Sequence, residues 1–328
     1  MGVWLVPLFL MKRWRALGLG AAVLLNATHC TNGIRRVARV PLVTADIDNF
    51  WAAYPAAMRD TAQAHQVFEA QYFGRASPGL REYFLRKYKG DARAFARRIT
   101  QRPRYYASVR QTTLAVAEQK PLILAAFRRL QALYPAVRFN PVYFVVGGFA
   151  GSTAQPPGLL IGADQVSNGP GVDTSELTLV QRNRCGAVAD LPRLVTHEMI
   201  HNTQQPYAGT LLSGAIREGM ADFVAELVTG NLGTNARLHA YGNAHERELW
   251  QAFKQEMNGA DARNWLANPT QETPEKPCDL GYYVGYKICQ AFYDKARDKK
   301  QAVAAMLTTH DFAAFLAQSG YEAKLRGS

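Results

Sequence analysis

"LPRLVTHEMIHNTQ" occupies residues 191–204. Its apolar residues recur at three- and four-residue intervals, which predicts an amphipathic helix. Side chains four apart on a helix point the same way, one turn apart. His197 and His201 therefore offer two imidazoles to one metal ion, with Glu198 beside the first. In metallohydrolases such a glutamate takes a proton from water held by zinc and passes it to the leaving amine. Position 204 is Gln and position 207 is Tyr, so the three-histidine extension of the motif is absent here.

Zinc needs a further protein ligand. "REGMADF" (217–223) supplies Glu218, seventeen residues after His201, on the next predicted helix, which Gly230 stops. The set becomes two histidines and one glutamate. Asp222, one turn further on the same face, is placed to accept the other ring N–H of a ligand histidine and fix its tautomer. Gly219 and Ala221 are small, as expected where two helices pack closely. Glu226 is the alternative ligand. His65, His239, His245 and His310 have no partner at ligand spacing and read as core or surface residues. No Cys-x-x-Cys occurs, which argues against cysteine-ligated zinc.

Amide cleavage also needs a donor to the oxyanion. "GYYVGYKI" (281–288) presents Tyr282, Tyr283 and Tyr286 near a helix start, and Tyr283 and Tyr286 are the candidate donors. An aromatic core stripe would place the same residues equally well. "GLLIGADQ" (158–165) reads as a strand whose glycines would let a substrate backbone add to an exposed edge. A plain core strand is the other reading.

Outward from the site, helical periodicity covers 46–58, 78–88, 91–99 and 119–135, then 244–257, 281–296 and 298–308. Between these runs, 137–150 and 158–166 are short, rich in β-branched and aromatic residues and bounded by Gly and Pro, and read as strands. "SELTLVQR" (175–182) is a candidate third. Helices, a small sheet, then helices define a mostly helical α+β fold. The expected organisation is a leader (1–33), a basic helical region (34–140) and a catalytic region (141–328).

Hydrophobic residues make up 48% of the 328, which excludes a disordered chain. Residues 75–138 hold fifteen Lys or Arg against three acids, which accounts for the whole net charge of +12. Such a region faces an anionic membrane surface, an acidic partner or simply solvent. No nucleic-acid module is recognisable, and no nucleic-acid partner is expected. "MKRWR" (11–15) followed by "ALGLGAAVLL" (16–25) has the form of a secretory leader and is too short to span a bilayer. The apolar run 1–10 leaves Met1 and Met11 both open as starts. Cys30 stands where a lipoprotein leader places its lipidated cysteine, although His29 precedes it, so lipidation and ordinary cleavage both stay open. Export to the periplasm or cell envelope is expected either way. There, Cys185 and Cys278, in loop-like stretches, would be able to pair, while Cys289 lies in an apolar helix as a buried thiol.

HEMIH (197–201), EGMAD (218–222) and GYYVGYKI (281–288) resemble a bacterial family of predicted zinc-dependent proteases. So do "REYFLRKY" (81–88), "RPRYYASVR" (102–110) and "VYFVVGGFAGSTAQPPGLLIGAD" (142–164). The likeness runs from about 45 to 320. The chain is also distantly similar to gliding-motility lipoproteins. The resemblance implies a gluzincin-like fold with the sheet beside the HExxH helix, His197, His201 and Glu218 as Zn2+ ligands, and Glu198 as base. The interval from His201 to Glu218 is shorter than in thermolysin-like enzymes. The leading expectation is an exported zinc metallopeptidase acting on peptides or proteins. The alternative is an envelope-anchored binding or assembly protein with a structural or vestigial metal site.

Overall fold

A computed structural model describes residues 33–327. The leader and Cys30 lie outside the described residues. The N-terminal part is a run of helices: α1 (Ala45–Arg59), α2 (Ala64–Gln71), α3 (Pro78–Tyr88), α4 (Ala92–Thr100), α5 (Pro103–Ser108), α6 (Arg110–Leu114) and α7 (Lys120–Leu133). Local chemistry sets their ends. Ser77 caps α3 ahead of Pro78, and the Asp91 carboxylate accepts from the first free N–H groups of α4. Their aromatic residues bury while Arg81, Arg93, Arg97, Arg104 and Arg110 stay in solvent.

The sheet has the order β1 (Leu42–Val43), β2 (Val142–Val145), β4 (Gly158–Gly162), β3 (Thr153–Gln155). The first three are mutually parallel, and β3 runs antiparallel to β4. β2 and β4 are buried along their whole length, as their unbroken apolar runs require. β4 is an interior strand, which corrects the expectation that it offers an edge. The outer strand beside β4 is β3, three half-exposed residues with too little periodicity to be read in advance.

The C-terminal part comprises α8 (Leu179–Arg184), α9 (Leu191–His201), α10 (Leu211–Thr229), α11 (Ala236–Ala244), α12 (Glu246–Glu256), α13 (Leu280–Lys295), α14 (Lys299–Thr308), α15 (Phe312–Ser319) and α16 (Tyr321–Gly327). The fold is α+β and mostly helical. Residues 175–182 are not a third strand. Thr178 and Gln181 form a reciprocal capping box that starts α8, and that chemistry overrides the alternating apolar pattern.

The described residues form one compact unit, and β1 pairs with β2 across the 140/141 boundary. α9 packs against β3 and β4 on one side and α10 on the other. α10 and α13 meet at glycines. A side chain on Gly285 would strike the carbonyl of Ala215, and one on Gly219 would strike the backbone of Gly285 and Tyr286. The glycines of EGMAD and GYYVGYKI thus bring two backbones into contact and hold Glu218 opposite α9.

Candidate metal centre

His197 and His201 come off α9 one turn apart, with ring centroids 4.7 Å apart and planes at 89°. Their partners decide the tautomers. His197 Nδ1 lies 2.8 Å from Asp222 Oδ1, and a carboxylate only accepts, so the proton is on Nδ1. His201 Nδ1 lies 2.9 Å from Gln204 Oε1. Gln204 Nε2 donates to the Arg217 carbonyl at 2.7 Å, which turns its oxygen towards the histidine. Both Nε2 atoms are left with lone pairs, and they stand 3.0 Å from each other. Glu218 Oε2 is 3.5 Å from the first and 3.3 Å from the second.

Two imidazole lone pairs and a carboxylate oxygen that converge on one point repel each other unless a cation or a shared proton lies between them. The ligand atoms of His197, His201 and Glu218 all lie within 4.8 Å of one another. This neutral-nitrogen and carboxylate set fits Zn2+. Without the ion, a shared proton is the occupant that the electrostatics favour. Burial disfavours the His197 imidazolium, yet Asp222, then Glu218 and Glu198, lift its pKa to about 10. Burial would raise Glu218 too, but hydrogen bonds from both histidines hold it well below the usual carboxylate range.

Asp222 is itself anchored. Oδ1 also accepts from Arg193 Nη1 at 2.9 Å, and Oδ2 accepts from Asn235 Nδ2 at 2.6 Å. Burial opposes its charge, and His197 and Arg193 keep it low. Glu198 is in the opposite condition. It lines a cleft of about 600 Å³ together with His197, Asp222 and Tyr282. Burial raises its pKa, against the pull of the two histidines.

The tyrosine expectation needs correction. Tyr283 donates to Asn243 Oδ1 at 2.9 Å and Tyr286 to Glu226 Oε2 at 2.6 Å, so neither hydroxyl is directed at the cluster. The same bond occupies Glu226, the alternative ligand. One residue earlier, about 100° round the helix, Tyr282 lines the cleft with its ring parallel to His197 at 6.3 Å. Burial and the neighbouring Glu218 hold its phenol well above the usual value. His239 is a core residue against Tyr283 and Tyr286, and burial lowers it to about 4.

Sequence reasoning missed Gln204, noted only for not being the glycine of a longer motif. It also missed Arg193, one turn before His197, and Lys87, whose Nζ reaches the Ser152 carbonyl at 3.5 Å and whose charge acts on Glu198. The cysteine pairing is corrected as well. Cys185, Cys278 and Cys289 are free buried thiols. Cys185 Sγ sits 3.5 Å from the Tyr105 hydroxyl and Cys278 Sγ 3.1 Å from Arg184 Nη2, so each is engaged in a contact of its own.

The fold and site together define a mostly helical α+β protein with a two-histidine, one-carboxylate cluster of metal-ligand geometry, whose His197 lines a cleft beside Glu198. The profile of the gliding motility protein GldB family matches residues 35–323. The chain belongs to that family. No curated protein and no solved structure matches it.

Proposed function

We propose that this chain is a cell-envelope protein whose cleft hydrolyses peptide bonds with zinc. The observation that carries the reading is the pairing of a converged ligand set with an uncommitted base. His197, His201 and Glu218 would hold the ion. Zinc, when bound, polarises the substrate carbonyl and brings the pKa of water to about 7. Glu198 accepts the proton from the attacking water at its carboxylate and returns it to the leaving amine nitrogen. Asp222 keeps the His197 proton on Nδ1 and so keeps Nε2 turned to the ion. Tyr282 donates its hydroxyl to the developing oxyanion.

The second reading, an envelope-anchored binding or assembly protein with a structural or vestigial site, is favoured by family membership, since the family is described by gliding motility and not by hydrolysis. Glu198 argues the other way, because a structural zinc site has no use for a base beside its ligands and closes with a fourth protein ligand. Among the described residues the cluster has three. Membership in the family supports the envelope location, with anchoring through Cys30 as its proposed means. No helix among the described residues is long and apolar enough to cross a membrane. The exposed arginines of α3 to α6 would meet an anionic membrane surface under either reading.

Glu198→Gln tests the reading. Zinc content stays at the wild-type level, and peptide hydrolysis falls by roughly 10²–10⁴-fold, the contribution of a general base. A variant as active as wild type removes the peptidase reading. Wild-type protein that binds zinc and cleaves nothing in a broad peptide library establishes the second.

A further inference from the structure

The cleft extends from His197 along a wall built by the end of α8, the start of α9 and the segment before α13. Besides Glu198, three acids line the cleft, and each of their oxygens is already taken. Asp222 accepts from His197, Arg193 and Asn235. Glu272 Oε1 accepts from Asn183 Nδ2 and Arg237 Nη1, both at 2.6 Å, and Oε2 accepts from the Cys278 N–H at 2.7 Å. Asp279 accepts from Arg184 Nη2 and from the Asn268 N–H.

The arginines on the same wall are not saturated. A guanidinium carries five N–H donors on three nitrogens. Arg184 commits only Nη2, to Asp279 and Cys278, and makes no hydrogen bond through Nε or Nη1 within the described residues. Its side chain is 50% exposed. Arg193 is buried and commits only Nη1, to Asp222. Its Nε is enclosed beside Gly233 without a partner, and Nη2 makes no hydrogen bond within the described residues. Arg184 lies near Tyr282, whose ring is parallel to His197, and Arg193 is one turn before His197. The hydrogen-bonding capacity this wall has left is thus cationic donors close to the candidate ligands, and Glu198, the proposed base, is the one acid lining the cleft without a hydrogen bond within the described residues.

We propose that the cleft selects peptides carrying a carboxylate, which Arg184 and Arg193 bind beside the scissile bond. A planar guanidinium suits a carboxylate in particular, through two parallel N–H···O bonds. This rests on the peptide reading of the site. The carboxylate is either the chain terminus or an Asp or Glu side chain, and the two sources are separable by experiment.

The probes are four matched fluorescent peptides: a neutral peptide with a free C-terminus, the same peptide amidated, and amidated versions with one internal Glu or one internal Lys. Binding is read by anisotropy on full-length Glu198→Gln protein, with and without zinc, and cleavage by wild type is read by mass spectrometry. Carboxylate-bearing peptides bind about 10-fold or more tighter than the neutral amide, as expected for a charge-assisted hydrogen bond. Preference for the free acid assigns the terminus, and preference for internal Glu assigns the side chain. Arg184→Gln, introduced into the same background, collapses the ratio, and Arg184→Glu turns the preference towards the Lys peptide, while unchanged zinc content and melting temperature show that both variants fold. Equal binding of charged and neutral peptides, binding of none, or a ratio that survives Arg184→Gln overturns the proposal. Selective binding without cleavage by wild type leaves the carboxylate subsite standing and removes hydrolysis.

Discussion

Asp164 and Glu198 are both buried carboxylates, and burial raises the pKa of each. They differ in what surrounds them. Asp164 Oδ1 accepts from the Gly147 N–H at 2.9 Å, and Oδ2 accepts from the Phe149 N–H and the Tyr106 hydroxyl, both at 2.9 Å. Tyrosines from the N-terminal helices finish the job on the same loop, with Tyr72 on the Val146 carbonyl, Tyr88 on Gly147 and Tyr83 on Gly151. Glu198 makes no side-chain hydrogen bond within the described residues and opens on the cleft. A saturated buried acid holds a backbone in shape, whereas an unsaturated one is left able to exchange a proton. The N-terminal helices therefore serve the site at one remove, by fixing the loop from which β3 and one wall of the cleft begin.

The sharpest test of the contrast replaces each acid by its amide. Asp164→Asn turns an acceptor into a donor facing fixed N–H groups, so urea denaturation should show a loss of about 3 kcal/mol or more. Glu198→Gln should shift stability by less than about 1 kcal/mol, since no bond is lost. Equal losses in the two variants would break the distinction.

His239 extends it to a group that is buried with no hydrogen bond from its ring within the described residues. It titrates near 6.5 when unfolded and at about 4 in the fold, so the unfolded chain takes up the proton first. Stability present above about pH 6.5 is lost progressively as pH falls towards 4, by about 3 kcal/mol at most. His239→Gln should flatten that part of the acid limb, read as the change in slope against wild type. An unchanged slope would show that His239 does not drive it. A further effect, on metal affinity, is expected at Asp222→Asn. It should weaken zinc binding by roughly 10- to 100-fold, as changes to a group that orients a ligand usually do. Chelator competition would show it, and unchanged affinity would mean that Asp222 does not set the His197 tautomer.

The cluster was legible because its signals are local. His197, Glu198 and His201 lie within one turn, and Glu218 and Asp222 lie one turn apart on the next helix. The apolar runs of β2 and β4 were equally plain. Parts that depend on long-range placement were not. Helix phase decided that Tyr282, and not Tyr283 or Tyr286, meets the cleft, and the Gly285 contact with α10 sets that phase. β3 is too short to carry a period. Lys87 acts on Glu198 from a position more than one hundred residues before it. Thr178 and Gln181 did carry a readable helix-start signal, but the alternating apolar residues around them pointed to a strand.

Zinc stoichiometry is the most direct test of the central claim that His197, His201 and Glu218 form one metal site. Equilibrium titration against a competing chelator should give one zinc per chain for wild type and for Glu198→Gln. His201→Ala and Glu218→Ala should lose tight binding, because two protein ligands hold the ion weakly. Wild-type protein that binds no zinc, or a His201→Ala variant that binds it as tightly as wild type, would contradict the account.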